Sequence, residues 1–241
     1  MHRLVENISL AKVVFGLLLL SVPPADGRGQ ISSRDTLDVF FLGNSYVYYN
    51  NLADQLTELS LSLPGTVINT GHHLHGGFSL RRHLEDGHLP NVFQRHGDSD
   101  DGWDVVIVQE HSRLGVPYSD EDTGALPPPN AFFESASEIC DLILESGAEI
   151  VFYMTWAKEA FPEQIALLSE AYTEAGRRLR ASVTPVGLAW DQVRRERPDI
   201  DLFHPDGSHP SPAGTYLSAC VFYGQLTGLP PFGAAGTLYG I

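Results

Sequence analysis

Basic residues are scarce in this chain. Lys and Arg number 15 against 30 Asp and Glu, a formal net charge of −15 at pH 7. Nucleic acid and anionic membrane both select a basic face, so neither is an expected partner. No apolar run reaches the roughly 20 residues of a membrane-spanning helix. The run VVFGLLLLSV, Val13 to Val22, preceded by His2, Arg3 and Lys12, suits the apolar region of a signal peptide. Residues 1–30 are therefore read as a signal peptide, with a retained membrane anchor as the alternative, and 31–241 as one secreted or periplasmic domain. Cysteine is rarer still, with Cys140 and Cys220 alone. An exported chain permits a disulfide between them. Both lie in apolar helical patterns, where buried free thiols are the other reading.

Several chemistry-bearing patterns are missing. There is no G-x-G-x-x-G or P-loop glycine pattern and no H-E-x-x-H helix. No D-x-D-x-D-G calcium loop accompanies the acidic residues Asp100, Asp101, Asp120, Glu121 and Asp122, which read as solvated loops. Histidines are plentiful (His72, His73, His75, His83, His88, His96 and His111), but His72 and His73 are adjacent and point opposite ways on a strand. They are read as loop or pocket-lining residues, and neither metal nor organic cofactor is expected.

What is present is an alternation of strand-like and helix-like segments. LDVFFLG (Leu37 to Gly43), TVINTG (Thr66 to Gly71), WDVVIVQE (Trp103 to Glu110), AEIVFYMTWA and VTPVGLAW are short apolar runs of the kind that form buried parallel strands. Leu52, Leu56, Leu59 and Leu63 recur at helical steps, and further helices follow in AFFESASEICDLILESG, closed by Gly147, in PEQIALLSEAYTEAGRRLRAS and in SPAGTYLSACVFYGQLTG. Five strand-then-helix units predict an α/β fold with a parallel sheet covered on both faces. The segment from Gly115 to Asn130, rich in proline and acid, is long for a connection in a compact domain and is a lid candidate.

Ligands of parallel sheets bind beyond the carboxyl ends of the strands. After the first strand comes Gly43-Asn44-Ser45. A serine here sits at a helix N-terminus, either as its cap or as a nucleophile whose oxyanion the free N–H groups would stabilise. Near the other end, in HPDGSHPSPAG, Asp206 and His209 stand three residues apart, close enough for the carboxylate to hold the imidazole Nδ1–H and leave Nε2 as a base.

FLGNSYVYYNNL and DGSHPSPAGTYLSA together resemble the first and last blocks of the SGNH/GDSL hydrolase superfamily, with Gly-Asn-Ser in place of the fuller Gly-Asp-Ser wording. The resemblance runs from about Leu37 to about Gly228. It implies a three-layer α/β/α sandwich with a central parallel sheet of about five strands, SGNH- or flavodoxin-like. It also implies a catalytic Ser45, Asp206 and His209 and an oxyanion hole of the Ser45 and Gly77 N–H groups. Gly76 and Gly77 both follow the second strand, and Gly77 is preferred because Ser79 comes two positions later. The family's G-x-N-D asparagine is absent; VQEHS stands there, offering Gln109 as the side-chain donor, with Ser112 as the alternative. Asn44, Trp156 and Trp190 are candidates for the substrate cleft, the tryptophans equally for the core.

The implied function is a serine ester hydrolase that removes short acyl groups, O-acetyl on carbohydrate among them. A catalytically silent glycan-binding module on the same fold is the alternative.

Overall fold

The computed structural model describes residues 35–93, 102–114, 126 and 128–234. The segments 1–30 and 115–125, His96 and the acidic residues named above lie outside the described residues.

Five strands form one parallel sheet: β1 (Thr36–Gly43), β2 (Val67–Leu74), β3 (Val105–Val108), β4 (Glu149–Tyr153) and β5 (Ser182–Thr184), in the order β2-β1-β3-β4-β5. The described helices are α1 (Ser45–Tyr48), α2 (Leu52–Leu61), α3 (Leu80–Asp86), α4 (Leu89–Val92), α5 (Asn130–Ser146), α6 (Ile165–Leu179), α7 (Val186–Glu196) and α8 (Pro212–Thr227).

The two-residue period of the strands builds two cores. Val39, Phe41, Ile107, Val151 and Tyr153 pack on one face with Leu52, Leu56 and Leu59 of α2, Val186, Trp190 and Val193 of α7, and Leu217, Val221 and Phe222 of α8. Phe40, Leu42, Val106, Val108 and Phe152 face the other way, onto Phe132, Ile139 and Ile143 of α5 and Leu168, Ala171 and Tyr172 of α6. This is the three-layer α/β/α sandwich expected from sequence. Among the described residues, no helix is long and apolar enough to cross a membrane.

Cys140 and Cys220 are free, buried, and placed in opposite cores, so the sheet separates them. Burial pushes each thiol up to about 12.

VTPVGLAW departs from its expected strand. Only Ser182–Thr184 pairs with β4, and Val186–Glu196 is helical. Pro185 cannot donate to a ladder and stands at the helix start. Besides Gly187, the buried positions are Val186, Ala189, Trp190 and Val193, at the i, i+3, i+4, i+7 steps of a helix. The apolar residues crowded at its start hide that period when the stretch is read as a run. Trp190 therefore sits inside a helix rather than at a strand end.

The chain turns back at the β1/β3 junction: β2 lies on one side of β1 and β3 on the other. A crevice opens at the carboxyl ends of strands where the order reverses. Residues after β1, β2 and β3 converge there.

Trp190 is fully buried, stacked on Trp156 with ring centroids 3.7 Å apart and edge-on to Phe203. Trp190→Ala is expected to cost about 3–5 kcal/mol of folding stability, the range for emptying a large aromatic site, as measured by denaturant unfolding.

Candidate active site

The site begins at the end of β1. Gly43 is required there by proximity: a Cβ would stand 2.6 Å from Gln109 Oε1 and 3.0 Å from Val47 Cγ2. Asn44, in extended conformation, caps α1, its Oδ1 accepting from Tyr46 N–H at 3.1 Å. The cap is thus Asn44 rather than Ser45, which occupies the first helical turn with its hydroxyl available. That hydroxyl lies 2.8 Å from His209 Nε2. His209 Nδ1 lies 2.7 Å from Asp206 Oδ2.

The tautomer follows from the carboxyl. Partial burial raises the Asp206 pKa, but hydrogen bonds from the His209 ring and from the N–H groups of Ser208 and His209 outweigh it and hold the group below the usual carboxylate range. An ionised Asp206 only accepts, so His209 Nδ1 carries the proton, and Nε2 is left to accept from the Ser45 hydroxyl. His204 Nδ1 also approaches Asp206 Oδ2, at 3.2 Å.

Aromatic rings hold the imidazole in place. Tyr49 stacks on His209 with centroids 4.2 Å apart and an interplanar angle of 15°, while Tyr46 meets it edge-on at 5.6 Å. Tyr46 OH and Ser208 Oγ are 2.7 Å apart, and Trp156 Nε1–H donates to Ser208 O at 3.0 Å. Asn50, in the left-handed region at φ 52°, donates from Nδ2 to Pro210 O and Thr215 Oγ1, each at 3.0 Å. The loop bearing His209 is thereby tied to the segment that follows Ser45. None of Tyr46, Tyr49, Asn50 or His204 stood out in the sequence, although the YVYYN run after Ser45 was the available signal.

A cleft of about 290 Å³ opens above Ser45, lined also by Asn44, Tyr46, Tyr48, Tyr49, Gly76, Gly77, His111, Ser112, Ser208 and His209. Gly77 adopts φ +70°, which favours glycine. Among the described residues, neither the Ser45 N–H nor the Gly77 N–H donates to a protein acceptor.

Gln109 is placed differently from its expected role as an oxyanion donor. Its N–H still pairs with Leu42 O at 2.9 Å, so the residue continues the β3 ladder and its side chain is fully buried beneath the cleft. There Gln109 Oε1 accepts from Asn44 N–H at 2.9 Å, and Nε2–H donates to Glu110 O. Ser112, in the turn three residues on, lines the cleft. His111 beside it is kept neutral: burial, then the charges of Lys158, Arg113 and Arg82, lower its pKa to about 4.

Of the two readings open for Trp156 and Trp190, cleft or core, the core is the one they take. They stack on each other and, through Trp156, on Tyr46 at 4.6 Å, forming a buried support behind the site rather than a cleft wall. Asn44, in contrast, both lines the cleft and braces it, with Nδ2 donating to Phe78 O at 2.8 Å.

Glu110 joins the loops after β2 and β3. Its Oε1 accepts from Leu80 N–H at 3.1 Å and from His111 N–H at 2.5 Å. It is fully buried, and this desolvation pushes its pKa up to about 8 despite those bonds. The native state thus holds a proton that the unfolded chain releases near the ordinary value of 4.5. Between those two values the unfolded state binds fewer protons, so this group lowers stability as pH rises and has no further effect above about 8. Glu110→Gln removes the titration. The stability of the variant relative to the wild type is expected to climb by a few kcal/mol from pH 4.5 to 8 and then level off. Urea unfolding across that range checks it.

No protein-family model matches the chain, and no curated protein matches it in sequence. Solved structures do match in fold. A candidate SGNH hydrolase from Slackia heliotrinireducens is 26% identical with a TM-score of 0.56, the match covering 79% of this chain and 98% of that one. A lipase/acylhydrolase from Enterococcus faecalis is 13% identical with a TM-score of 0.57, covering 80% and 98%. An acetylxylan esterase from Geobacillus stearothermophilus is 12% identical with a TM-score of 0.55, covering 79% and 94%.

Proposed function

We propose that this chain, which belongs to the SGNH hydrolase superfamily, is a serine ester hydrolase that acts through Ser45, His209 and Asp206 on short acyl esters. The observation that carries the reading is the chain of contacts Ser45 Oγ–His209 Nε2–Asp206, 2.8 and 2.7 Å long, opening on a cleft. A silent glycan-binding module on the same fold has no need of a hydroxyl aligned on a base.

In this mechanism Ser45 Oγ attacks the ester carbonyl carbon while His209 Nε2 takes its proton. The carbonyl electrons move onto oxygen, and the oxyanion is held by the N–H groups of Ser45 and Gly77. The hydroxyl of Ser112, a residue that lines the cleft, supplies the side-chain donor that Gln109 does not. As the intermediate collapses, the C–O bond to the alcohol breaks and His209 gives that alcohol its proton. Water then attacks the acyl-enzyme with His209 again as base, releasing the acid and restoring Ser45. Asp206 stays ionised and stabilises the imidazolium at each step.

The small cleft, rimmed by Tyr48 at 43% exposure, supports a short acyl group on a larger alcohol. O-acetyl groups on carbohydrate are the substrate class put forward, in keeping with the acetylxylan esterase among the matched structures. Export through the segment 1–30 belongs to the same proposal.

Ser45→Ala is expected to lower turnover of short-chain aryl esters by about 10³-fold or more. Turnover that survives this substitution, or a wild type inert at every acyl length and on acetylated sugars, overturns the reading. Ser112→Ala is expected to lower kcat by up to about 10²-fold with KM little changed, the pattern of a donor used in the transition state. Steady-state kinetics on the aryl ester series measures both.

A further inference from the structure

We propose that His73, His75 and Asp86 bind a divalent transition-metal ion of the zinc class, which clamps the end of β2 to the end of α3. β2 ends at Leu74, and its period puts His73 and His75 on one side while His72 and Leu74 turn to the other. A histidine pair two residues apart is therefore a ready-made chelate, which adjacency of His72 and His73 conceals. α3 then carries Asp86 back to the pair. One ligand atom from each of the three residues lies within 4.8 Å of the others. Tetrahedral zinc with bonds of about 2.0–2.1 Å sets its ligand atoms about 3.4 Å apart. Side-chain rotation covers the difference, since Asp86 is exposed and both imidazoles are half-buried.

A second observation points to a ligand. His73 Nε2 is buried and, among the described residues, has no hydrogen-bond partner. A buried imidazole nitrogen without a partner is costly, and metal coordination is one way to satisfy it. The surroundings are also of the right kind. His83 packs its ring 5.5 Å from that of His73 while Nε2–H donates to Gly43 O at 2.9 Å. His88 Nε2 lies 3.8 Å from Asp86 Oδ2, in place to serve as a further ligand beside water. Two imidazoles and one carboxylate suit zinc, cobalt or nickel, whereas calcium and magnesium take oxygen ligands.

None of the three residues lines the catalytic cleft, so the ion takes no part in the acyl transfer. It stands at the base of the loop that does line it. His75 N–H donates to Gly43 O at 3.2 Å, and Gly76 and Gly77 follow directly. A bound ion would brace that loop against β1.

Zinc chloride titrated into the chelator-treated full-length chain, against a chromophoric competitor, tests the site. The expected result is one ion per chain, lost in His75→Ala and weakened at least tenfold in Asp86→Asn. Asp86 is exposed, so that variant reads the site without disturbing a core. At zinc a hundredfold above Kd, the thermal midpoint is expected to rise by roughly 5–10 °C in the wild type. Equal zinc affinity in the wild type and either variant overturns the proposal, as does an equal thermal shift in His75→Ala. Neither readout depends on ester turnover.

Discussion

The seating of Asn44 is the constraint on which the site depends. Its N–H is held by Gln109 beyond β3, its Oδ1 caps α1, and its Nδ2 reaches Phe78 in the loop after β2. One buried residue thus joins the carboxyl ends of three strands. A buried polar group left unpaired costs more than a paired one contributes, so these bonds hold together or fail together. Gly43 makes the arrangement possible, because any side chain there would strike the Gln109 amide. The Gly-Asn-Ser wording follows from this packing: glycine for approach, asparagine for three-way bonding, serine for the hydroxyl set against His209.

Polar burial continues around that hub. Glu110 gathers the N–H groups of Leu80 and His111, and Gln109 and Glu110 lie side by side with no exposure to solvent. These groups act as struts and are not reagents. Desolvation outweighs the bonds that Glu110 makes and keeps it neutral, and the bonds still join the loops into a floor beneath Ser45. Across the cleft the restraint is aromatic: Tyr49 and Tyr46 fix the His209 ring, and the Trp156–Trp190 stack supports Tyr46 from behind. Ser45 and His209 come from opposite ends of the chain. These two supports, together with the Asp206 and Asn50 bonds, maintain their 2.8 Å contact.

The layered fold was legible because its signals are periodic. Apolar runs bounded by glycine and leucines at helical steps depend only on neighbouring residues, and they placed β1 to β4 and most helices correctly. The α7 segment misled because its apolar residues crowd together at the start, where a run and a helix look alike. The order of residues also indicated Ser45, Asp206 and His209, since residues after strands and before the last helix must meet at one edge of a parallel sheet.

Chemistry in the side chains was less legible. Gln109 has the functional group of an oxyanion donor, yet pairing with Leu42 keeps it in the ladder and turns its amide under Asn44. Trp156 and Trp190 end or adjoin apolar runs, and only the packing decides that they support the cleft instead of lining it. His73, His75 and Asp86 are unremarkable in a string rich in histidine until α3 folds back on β2. The sequence by itself determined which residues could meet, through element order and the two periods of helix and strand. Tertiary structure alone decided which way each polar side chain points, because that choice is set by where its hydrogen bonds and its room are found among residues distant in the chain.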